Sequence, residues 1–212
     1  MKQSTTTLVT GGSRSGKSQW AREKMSSYSR KIFLATAVAI DPEMTERIVR
    51  HKKERGSDFI TVEEPVHLAE AIRAQAPSAD VILVDCLTFW LNNLFHYLKS
   101  SISKEIENFL NVLEQRPTSL ILVTNEVNMG VIPNDPLSRE FVDRQGWLNQ
   151  EVARRADEVI LMVAGIPQVL KHERHCEADR VSRSNPVAEM AFRPPKRRTR
   201  RSAGRVLLRG AQ

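Results

Sequence analysis

Gly11-Gly12-Ser13-Arg14-Ser15-Gly16-Lys17-Ser18 matches the pattern G-x-x-x-x-G-K-[ST] of a phosphate-binding loop. The residues directly before it, 6–10, are β-branched or apolar and predict a buried strand, and the residues from Ser18 to Ser26 predict a helix. A strand, a glycine-rich turn and a helix in this order are the surroundings that the motif needs. The stretch therefore predicts a site for a nucleoside triphosphate.

The residue types in this loop explain how it would bind phosphate. Glycine at positions 11, 12 and 16 lets the backbone curl so that successive N–H groups point at phosphate oxygens, and the helix N-terminus adds partial positive charge. Lys17 would reach the β- and γ-phosphates, and the hydroxyl of Ser18 would bind Mg²⁺. The alternative is a glycine-rich turn that precedes a lysine by chance, which the flanking strand and helix disfavour. Because this loop occurs in proteins of many functions, it does not define the reaction.

Composition limits the class of protein. The chain has 212 residues, of which 41% are hydrophobic, and this suits one α/β domain with a real core. Its two cysteines, Cys86 and Cys176, cannot form a disulfide framework. No apolar stretch approaches the length of a membrane span, and the N-terminus lacks the apolar core of a signal peptide. We therefore expect a soluble, cytoplasmic protein.

The net charge of +7 is confined to one end of the chain. Residues 172–212 contain 11 Lys and Arg against 4 Asp and Glu, whereas residues 1–171 contain 21 of each sign. The basic run from Arg193 to Arg201 has no hydrophobic period and indicates a solvated, disordered segment. We therefore predict a domain over residues 1–171 and a basic tail over residues 172–212. Such a tail could bind nucleic acid or an acidic surface, but a passive appendage is favoured.

Apolar runs alternate with helical patterns along the predicted domain. Predicted strands lie at residues 31–37, 59–63, 81–85, 119–124 and 158–163. One helix is predicted to begin at Asp41, and others cover about residues 66–75, 88–98, 102–115 and 138–155. Strands that are apolar on both faces and separated by helices predict a mostly parallel sheet with helices on both faces. This is the α/β architecture of a RecA-like P-loop NTPase.

Asp85 is a candidate for the second part of the nucleotide site. It ends the apolar run Val81–Val84, and an acid at the end of a buried strand can hold Mg²⁺ directly or through water. An acid after four apolar residues is common and would be a weak signal alone. Together with the phosphate loop, it predicts a Mg²⁺ site formed by Ser18 and Asp85.

A basic helical pattern over residues 47–55 offers a nucleophile. On a helix, Arg47, His51 and Arg55 lie at i, i+4 and i+8 and share one face. Neighbouring cations disfavour the imidazolium, so His51 would stay neutral and able to attack, while the arginines would hold a phosphate chain. A histidine that forms a covalent phosphoramidate with a nucleotide needs this environment. From the pattern alone, a solvated basic face with an idle histidine is nevertheless favoured.

Taken together, these motifs resemble the bifunctional adenosylcobinamide kinase / adenosylcobinamide-phosphate guanylyltransferase family of cobalamin biosynthesis. The resemblance extends from about Leu8 to Lys171. It includes residues 8–18, 41–44, 47–48, 51–52, 84–88, 90–91, 93–94, 123–127, 146, 149–150 and 165–167, in the order that the family has. Several separate motifs in the same order make the resemblance specific.

The resemblance implies two reactions. The first phosphorylates the hydroxyl of the aminopropanol arm of adenosylcobinamide with ATP or GTP. The second moves GMP from GTP, through a guanylylated histidine, onto that phosphate and gives adenosylcobinamide-GDP and pyrophosphate. His51 matches the guanylylated histidine of the family, which reverses the interpretation of an idle side chain. A homotrimer with sites between subunits is implied as well.

The same similarity implies the residues of the site. Those implied to contact phosphate are Thr10, Gly11, Gly12, Ser13, Arg14, Ser15, Gly16 and Lys17. Those implied to line the nucleotide and guanylyl site are Ala35, Thr36, Ala37, Lys52, Lys53, Glu54, Arg55, Glu63 and Asp85. Ser13 departs from a common alanine and contributes only backbone there. Asn128 stands where the family usually has glycine, and asparagine is the next best tolerated residue if that position needs a positive φ.

Two other interpretations stay open. A monofunctional P-loop small-molecule kinase would use Lys17 and Asp85 but leave His51 idle. A P-loop ATPase that binds nucleic acid would use the basic tail to hold it. The charge-balanced domain offers no base-reading element that we can identify, so nucleic acid is not expected as a partner.

Overall fold

The structure is a computed structural model that describes residues 4–39, 45–46, 49, 59–98, 101–127 and 129–172. The strands within these ranges form one sheet: β1 (Thr6–Gly11), β2 (Lys31–Ala35), β3 (Ile60–Glu63), β4 (Val81–Asp85), β5 (Ser119–Val123), β6 (Glu158–Val163) and β7 (Ile166–His172). Their order across the sheet is β3-β2-β4-β5-β1-β6-β7. All neighbours run parallel except β7, which is antiparallel to β6. The predicted mostly parallel sheet is confirmed.

The helices of the described ranges lie between these strands. The longer ones are α1 (Lys17–Met25), α2 (Leu68–Gln75), α3 (Leu87–Tyr97), α4 (Ile102–Gln115) and α5 (Pro136–Arg155). At the start of α5, the Asp135 side chain accepts a hydrogen bond from the Ser138 N–H at 2.8 Å, and proline occupies the first helical position. Most of the helix predicted to begin at Asp41 lies outside the described residues.

The core consists of two layers, one on each face of the sheet, because alternate residues of each strand point to opposite faces. Leu8, Leu34 and Val84 pack in one cluster with side chains of α2, α3, α4 and α5. Val9 and Phe33 pack in the other cluster with side chains of α1. The strands are therefore buried on both faces, which explains why they are continuous apolar runs in the sequence.

Strand β7 was not predicted from the sequence. It pairs with β6 through a two-residue turn, in which Ala164 has φ 51° and Gly165 has φ 83°. Two positive φ values are the signature of the tight hairpin turn that matches the twist of the strands. Pro167 is compatible with β7 because this strand lies at the edge of the sheet that the described residues form, and proline is tolerated in edge strands. Exposed apolar residues and a proline gave no clear strand pattern.

The strand order determines which residues lie beside the phosphate loop. Because β1 to β6 are parallel, their carboxyl ends meet at one edge of the sheet, which we call the carboxyl edge. The phosphate loop, residues 11–18, follows β1 at this edge. Strand β4, which ends in Asp85, is separated from β1 by β5 alone. Ligands of open α/β sheets bind outside the carboxyl ends of the strands, so the fold favours a site here.

Candidate active site

The strand register places the two predicted acidic residues, Glu63 and Asp85, side by side at the same height in the sheet, with Ala35 between them. Ala35 pairs with Glu63 on one side and with Asp85 on the other, and Asp85 pairs with Val123 of β5. Since neighbouring strands lie about 4.8 Å apart, the backbones of Glu63 and Asp85 are about 10 Å apart. Val123 also pairs with Val9, two residues before the phosphate loop begins. Residues far apart in sequence therefore meet at the carboxyl edge.

Two glycines of the phosphate loop occupy conformations that side chains rarely adopt. Gly11 has φ 144°, and a Cβ there would lie 2.4 Å from the carbonyl oxygen of Met162 on β6. Gly16 has φ 96°, and a Cβ there would lie 3.2 Å from Cα of Gly165. The Gly165 N–H also donates to the Ser15 carbonyl at 3.0 Å. The β6–β7 turn thus supports the loop, a role that the sequence analysis did not assign to Gly165.

We expect Gly11→Ala to destabilise the protein by about 1–3 kcal/mol, the usual cost of a strained backbone position. The added methyl group meets the backbone of Met162, which is fixed by β6 pairing and cannot rotate away. Displacement of the loop should also weaken ATP binding by about tenfold, or about 1.4 kcal/mol. Thermal unfolding and an ATP titration measure the two effects.

Gly12→Ala is the matched control for stability. A Cβ at Gly12 would meet no atom within 4 Å, and Gly12 is not among the positive-φ glycines. Its free energy of unfolding should stay within about 0.5 kcal/mol of the wild-type value. Equal unfolding temperatures for Gly11→Ala and Gly12→Ala would contradict the account of the loop.

Lys17 is buried at the start of α1 and lies against the phosphate loop. Its Nζ donates to the carbonyl oxygens of Gly11 at 3.0 Å and Gly12 at 2.6 Å. Burial lowers the pKa of the Lys17 ammonium, and the negative field of Cys86, Asp85 and Glu126 opposes that shift. The carboxylates supply this field at neutral pH, because burial raises the pKa of the Cys86 thiol to about 12. The electrostatic surroundings of Lys17 thus include Asp85, at the end of β4, and Glu126, beyond the end of β5.

Thr36 fixes the segment that follows β2. Its Oγ1 donates to the Cys86 carbonyl and accepts from the Cys86 N–H, both at 2.8 Å. Its own carbonyl accepts from Asn93 Nδ2 of α3 at 2.7 Å. Thr36 is fully buried, whereas Ala37 next to it is half-buried. The predicted nucleotide residues 35–37 are therefore attached to the residues beside Asp85 and held at the carboxyl edge.

A polar cluster after β5 also lies beside the phosphate loop. Glu126 Oε1 accepts from Thr10 Oγ1 at 2.5 Å and from Asn149 Nδ2 at 3.2 Å. Asn149 Oδ1 in turn accepts from Thr124 Oγ1 at 2.8 Å and from Gln145 Nε2 at 2.9 Å. Residues 123–127 and 149–150 belong to the family motifs named above, but no role was predicted for them from the sequence. The signal that could have found Glu126 is a polar run directly after an apolar strand.

The remaining predicted site residues divide into two groups. In the described ranges, Ser13 and Arg14 are exposed on the loop, Ser18 is half-buried in the first turn of α1, and Glu63 is exposed at the end of β3. His51, Lys52, Lys53, Glu54 and Arg55 lie outside the described residues, as do Arg47 and Asn128. Their placement stays a prediction.

The donors at the predicted Mg²⁺ site suit this ion. Mg²⁺ prefers oxygen ligands and is commonly bound by one or two carboxylates together with substrate phosphates and water. The Ser18 hydroxyl and the half-buried Asp85 carboxylate are of this kind, and Asp85 acts electrostatically on Lys17. Among the described residues, no group of three or more His, Cys, Asp or Glu could hold a metal ion.

Comparisons with known proteins show the family of this chain. The family model described as cobinamide kinase / cobinamide phosphate guanyltransferase matches residues 7–170. The bifunctional adenosylcobalamin biosynthesis protein CobP of Pseudomonas aeruginosa is 42% identical over 168 residues, which cover 78% of this chain and 97% of that protein. CobU of Escherichia coli, with the same descriptive name, is 37% identical over 178 residues, which cover 77% of this chain and 98% of that protein. CobU of Salmonella typhimurium is 36% identical over 178 residues, with the same coverage.

Two further observations complete the comparison. A solved KaiC-like protein of Pyrococcus horikoshii shares 17% identity and a TM-score of 0.43 with this chain, over 74% of this chain and 70% of that one. Among the described residues, no helix is both long and apolar enough to cross a membrane. Since the family model covers residues 7–170 and the curated relatives are 36–42% identical over nearly their whole length, the chain belongs to the cobinamide kinase / cobinamide phosphate guanyltransferase family.

Proposed function

We propose that this protein phosphorylates adenosylcobinamide with ATP or GTP and then transfers GMP from GTP to that phosphate. It would act as an adenosylcobinamide kinase and adenosylcobinamide-phosphate guanylyltransferase in the cytoplasm. The observation that carries the proposal is a complete phosphate loop, with Lys17 held against it, in a chain of this family. The product of the two steps would be adenosylcobinamide-GDP, a precursor in cobalamin biosynthesis.

The phosphorylation step needs positioning and charge neutralisation more than covalent chemistry. Backbone N–H groups of the phosphate loop would bind the triphosphate, and Lys17 would move from the loop carbonyls to its β- and γ-phosphates. Ser18 and Asp85 would hold Mg²⁺, which supplies positive charge to the phosphates when it is bound. The attachment of Thr36 to Cys86 keeps the neighbouring backbone in place, so these groups need little rearrangement during the reaction.

The guanylyl transfer step needs a protein nucleophile. We assign this role to His51, whose nitrogen would bond to the α-phosphorus of GTP while pyrophosphate leaves. The phosphate of adenosylcobinamide-phosphate would then take the GMP group and release the histidine. Lys52, Lys53, Glu54 and Arg55 would contact the nucleotide, and Arg47 and Arg55 would also keep the imidazole neutral. Glu63 would contribute from the end of β3.

A two-stage assay tests the proposal. Chromatography follows adenosylcobinamide-phosphate after incubation with ATP, and adenosylcobinamide-GDP after GTP is added. Formation of both products in that order supports the function. Formation of the first product alone would instead assign the chain to the monofunctional kinases and contradict the second activity.

We also propose that the protein is a homotrimer, on the strength of the family resemblance. The basic tail has no part in this chemistry, since the family match ends at residue 170 and the charge-balanced domain precedes the tail. The same match disfavours a nucleic-acid-dependent ATPase.

Deleting Arg193–Gln212 should leave both turnover rates within a few-fold of the wild-type rates. The reason is that every motif of the two reactions lies before this segment. The two-stage assay, run at several protein concentrations, measures the effect. A large loss at low concentration that is rescued at high concentration would assign the segment to assembly.

A further inference from the structure

Both the backbone and the side chain of Glu126 form hydrogen bonds with residues at the start of the phosphate loop. Its N–H donates to the Gly11 carbonyl at 3.1 Å, next to the bond from Thr10 Oγ1 to Glu126 Oε1 at 2.5 Å. The Thr124 N–H likewise donates to the Val9 carbonyl at 3.0 Å, so residues 124–126 continue alongside the end of β1. The carboxylate of Glu126 therefore has a fixed place beside the loop that would hold the triphosphate.

A buried network fixes the orientation of this carboxylate. Asn149 donates to Glu126 Oε1, and its own Oδ1 accepts from Thr124 and Gln145, all three of which are buried. Networks of this kind are rigid because each unmade bond in a buried site is costly. Both hydrogen bonds that described residues donate to Glu126 end on Oε1. Oε2 is thus the oxygen left for another partner.

Asp85 ends β4, whereas Glu126 lies three residues beyond the end of β5. Both carboxylates act electrostatically on the Lys17 ammonium. Asp85 pairs with Val123, and Glu126 lies three residues further along the chain, or about 10 Å in extended backbone. Asp85, at the strand end, has the position suited to Mg²⁺. Glu126, beyond the end of β5, lies against Thr10 and Gly11, where the phosphate loop begins.

We propose that Glu126 is the general base of the phosphorylation step. Its Oε2 accepts the proton of the acceptor hydroxyl while the hydroxyl oxygen bonds to the γ-phosphorus. At the same time the bond between the γ-phosphorus and the β–γ bridging oxygen breaks, and the nucleoside diphosphate leaves with that electron pair. The protonated carboxyl then returns its proton to water. This inference rests on the proposed function, which supplies the acceptor hydroxyl.

The substitution Glu126→Gln distinguishes a general base from a residue that only positions the phosphate loop through hydrogen bonds. The amide oxygen of glutamine can accept the same two hydrogen bonds from Thr10 and Asn149, but it cannot accept the proton of an alcohol. A general base contributes about 10²–10⁴-fold, so kcat for phosphorylation should fall by at least about 100-fold. KM for ATP should stay within about threefold, because the triphosphate contacts remain. Labelling of the protein by GTP carrying a labelled α-phosphate should also stay within about threefold.

Glu140→Gln is the matched control for loss of a carboxylate. Glu140 lies on α5 and pairs with Arg144 at 2.9 Å on the surface, so both activities should be unchanged. If the Glu126→Gln variant phosphorylates at the wild-type rate, the assignment is overturned. Glu126 would then only hold the loop in place through its hydrogen bonds. An equal loss of phosphorylation and GTP labelling would also overturn it, because the carboxylate would then serve triphosphate binding. Failure of the proposed function can be told apart from failure of the Glu126 assignment, because in the first case the wild-type protein itself would not phosphorylate the acceptor.

Discussion

Lys17→Ala should reduce both phosphorylation and guanylyl transfer to less than about a hundredth of the wild-type rates. The sequence contains one phosphate loop, and we propose that both triphosphates are held there. The Nζ of Lys17 lies within hydrogen-bonding distance of two loop carbonyls. Removal of one preorganised donor from a site of charge development costs about 10²–10³-fold. The two-stage chromatographic assay measures each activity separately.

Lys24→Ala is the matched control for this change. Lys24 lies on the same helix and pairs with Glu158 at 2.7 Å, with 37% of its side chain exposed. A surface ion pair contributes about 0–1 kcal/mol, so both activities should stay within about twofold of the wild-type rates. Retained guanylyl transfer in Lys17→Ala, with phosphorylation lost, would show that the two triphosphates occupy separate sites.

His51→Asn should eliminate GMP transfer and spare phosphorylation of adenosylcobinamide. Guanylyl transfer through a covalent intermediate needs a nucleophilic nitrogen, which the amide of asparagine cannot supply. Phosphoryl transfer needs no covalent protein nucleophile. We propose that it depends instead on Lys17, Ser18, Asp85 and Mg²⁺. Following adenosylcobinamide-phosphate and adenosylcobinamide-GDP separately measures the two outcomes.

His67→Asn is the matched control for this histidine. His67 precedes α2 and lies 3.5 Å from Glu70, with 52% of its side chain exposed. Both activities of His67→Asn should equal those of the wild type. Formation of adenosylcobinamide-GDP by His51→Asn would contradict the assignment of His51 and the role given to the basic helical pattern over residues 47–55.

The sequence predicted the sheet well because its central strands are buried on both faces. Runs such as Val81–Asp85 have no polar residue before the end, and such runs of four to six residues are typical of parallel strands. The register of the strands could not be predicted, because the alignment of Glu63, Ala35 and Asp85 depends on how the strands pair. Strand β7 was not predicted because its residues are mostly exposed and include Pro167, so they lack the continuous apolar pattern of a buried strand.

The sequence predicts candidate site residues where one short motif contains them. Lys17 and Ser18 follow from the phosphate loop, and Asp85 follows from its place after an apolar strand. The role of Glu126 could not be read in this way, because its partner Thr10 is 116 residues away and its partner Asn149 is 23 residues away. The pairing of β1 with β5 brings Thr10 close to Glu126, and the packing of α5 adds Asn149.

The central claim, that one chain carries both a kinase and a histidine-dependent guanylyltransferase, is tested most directly with GTP labelled in the α-phosphate. The wild-type protein, incubated with this GTP and then treated with acid or base, should carry a label that is lost in acid and kept in base. This behaviour identifies a phosphoramidate. Adding adenosylcobinamide-phosphate should move the label to adenosylcobinamide-GDP, and His51→Asn should acquire none. An unlabelled wild-type protein, or a labelled His51→Asn variant, would contradict the account.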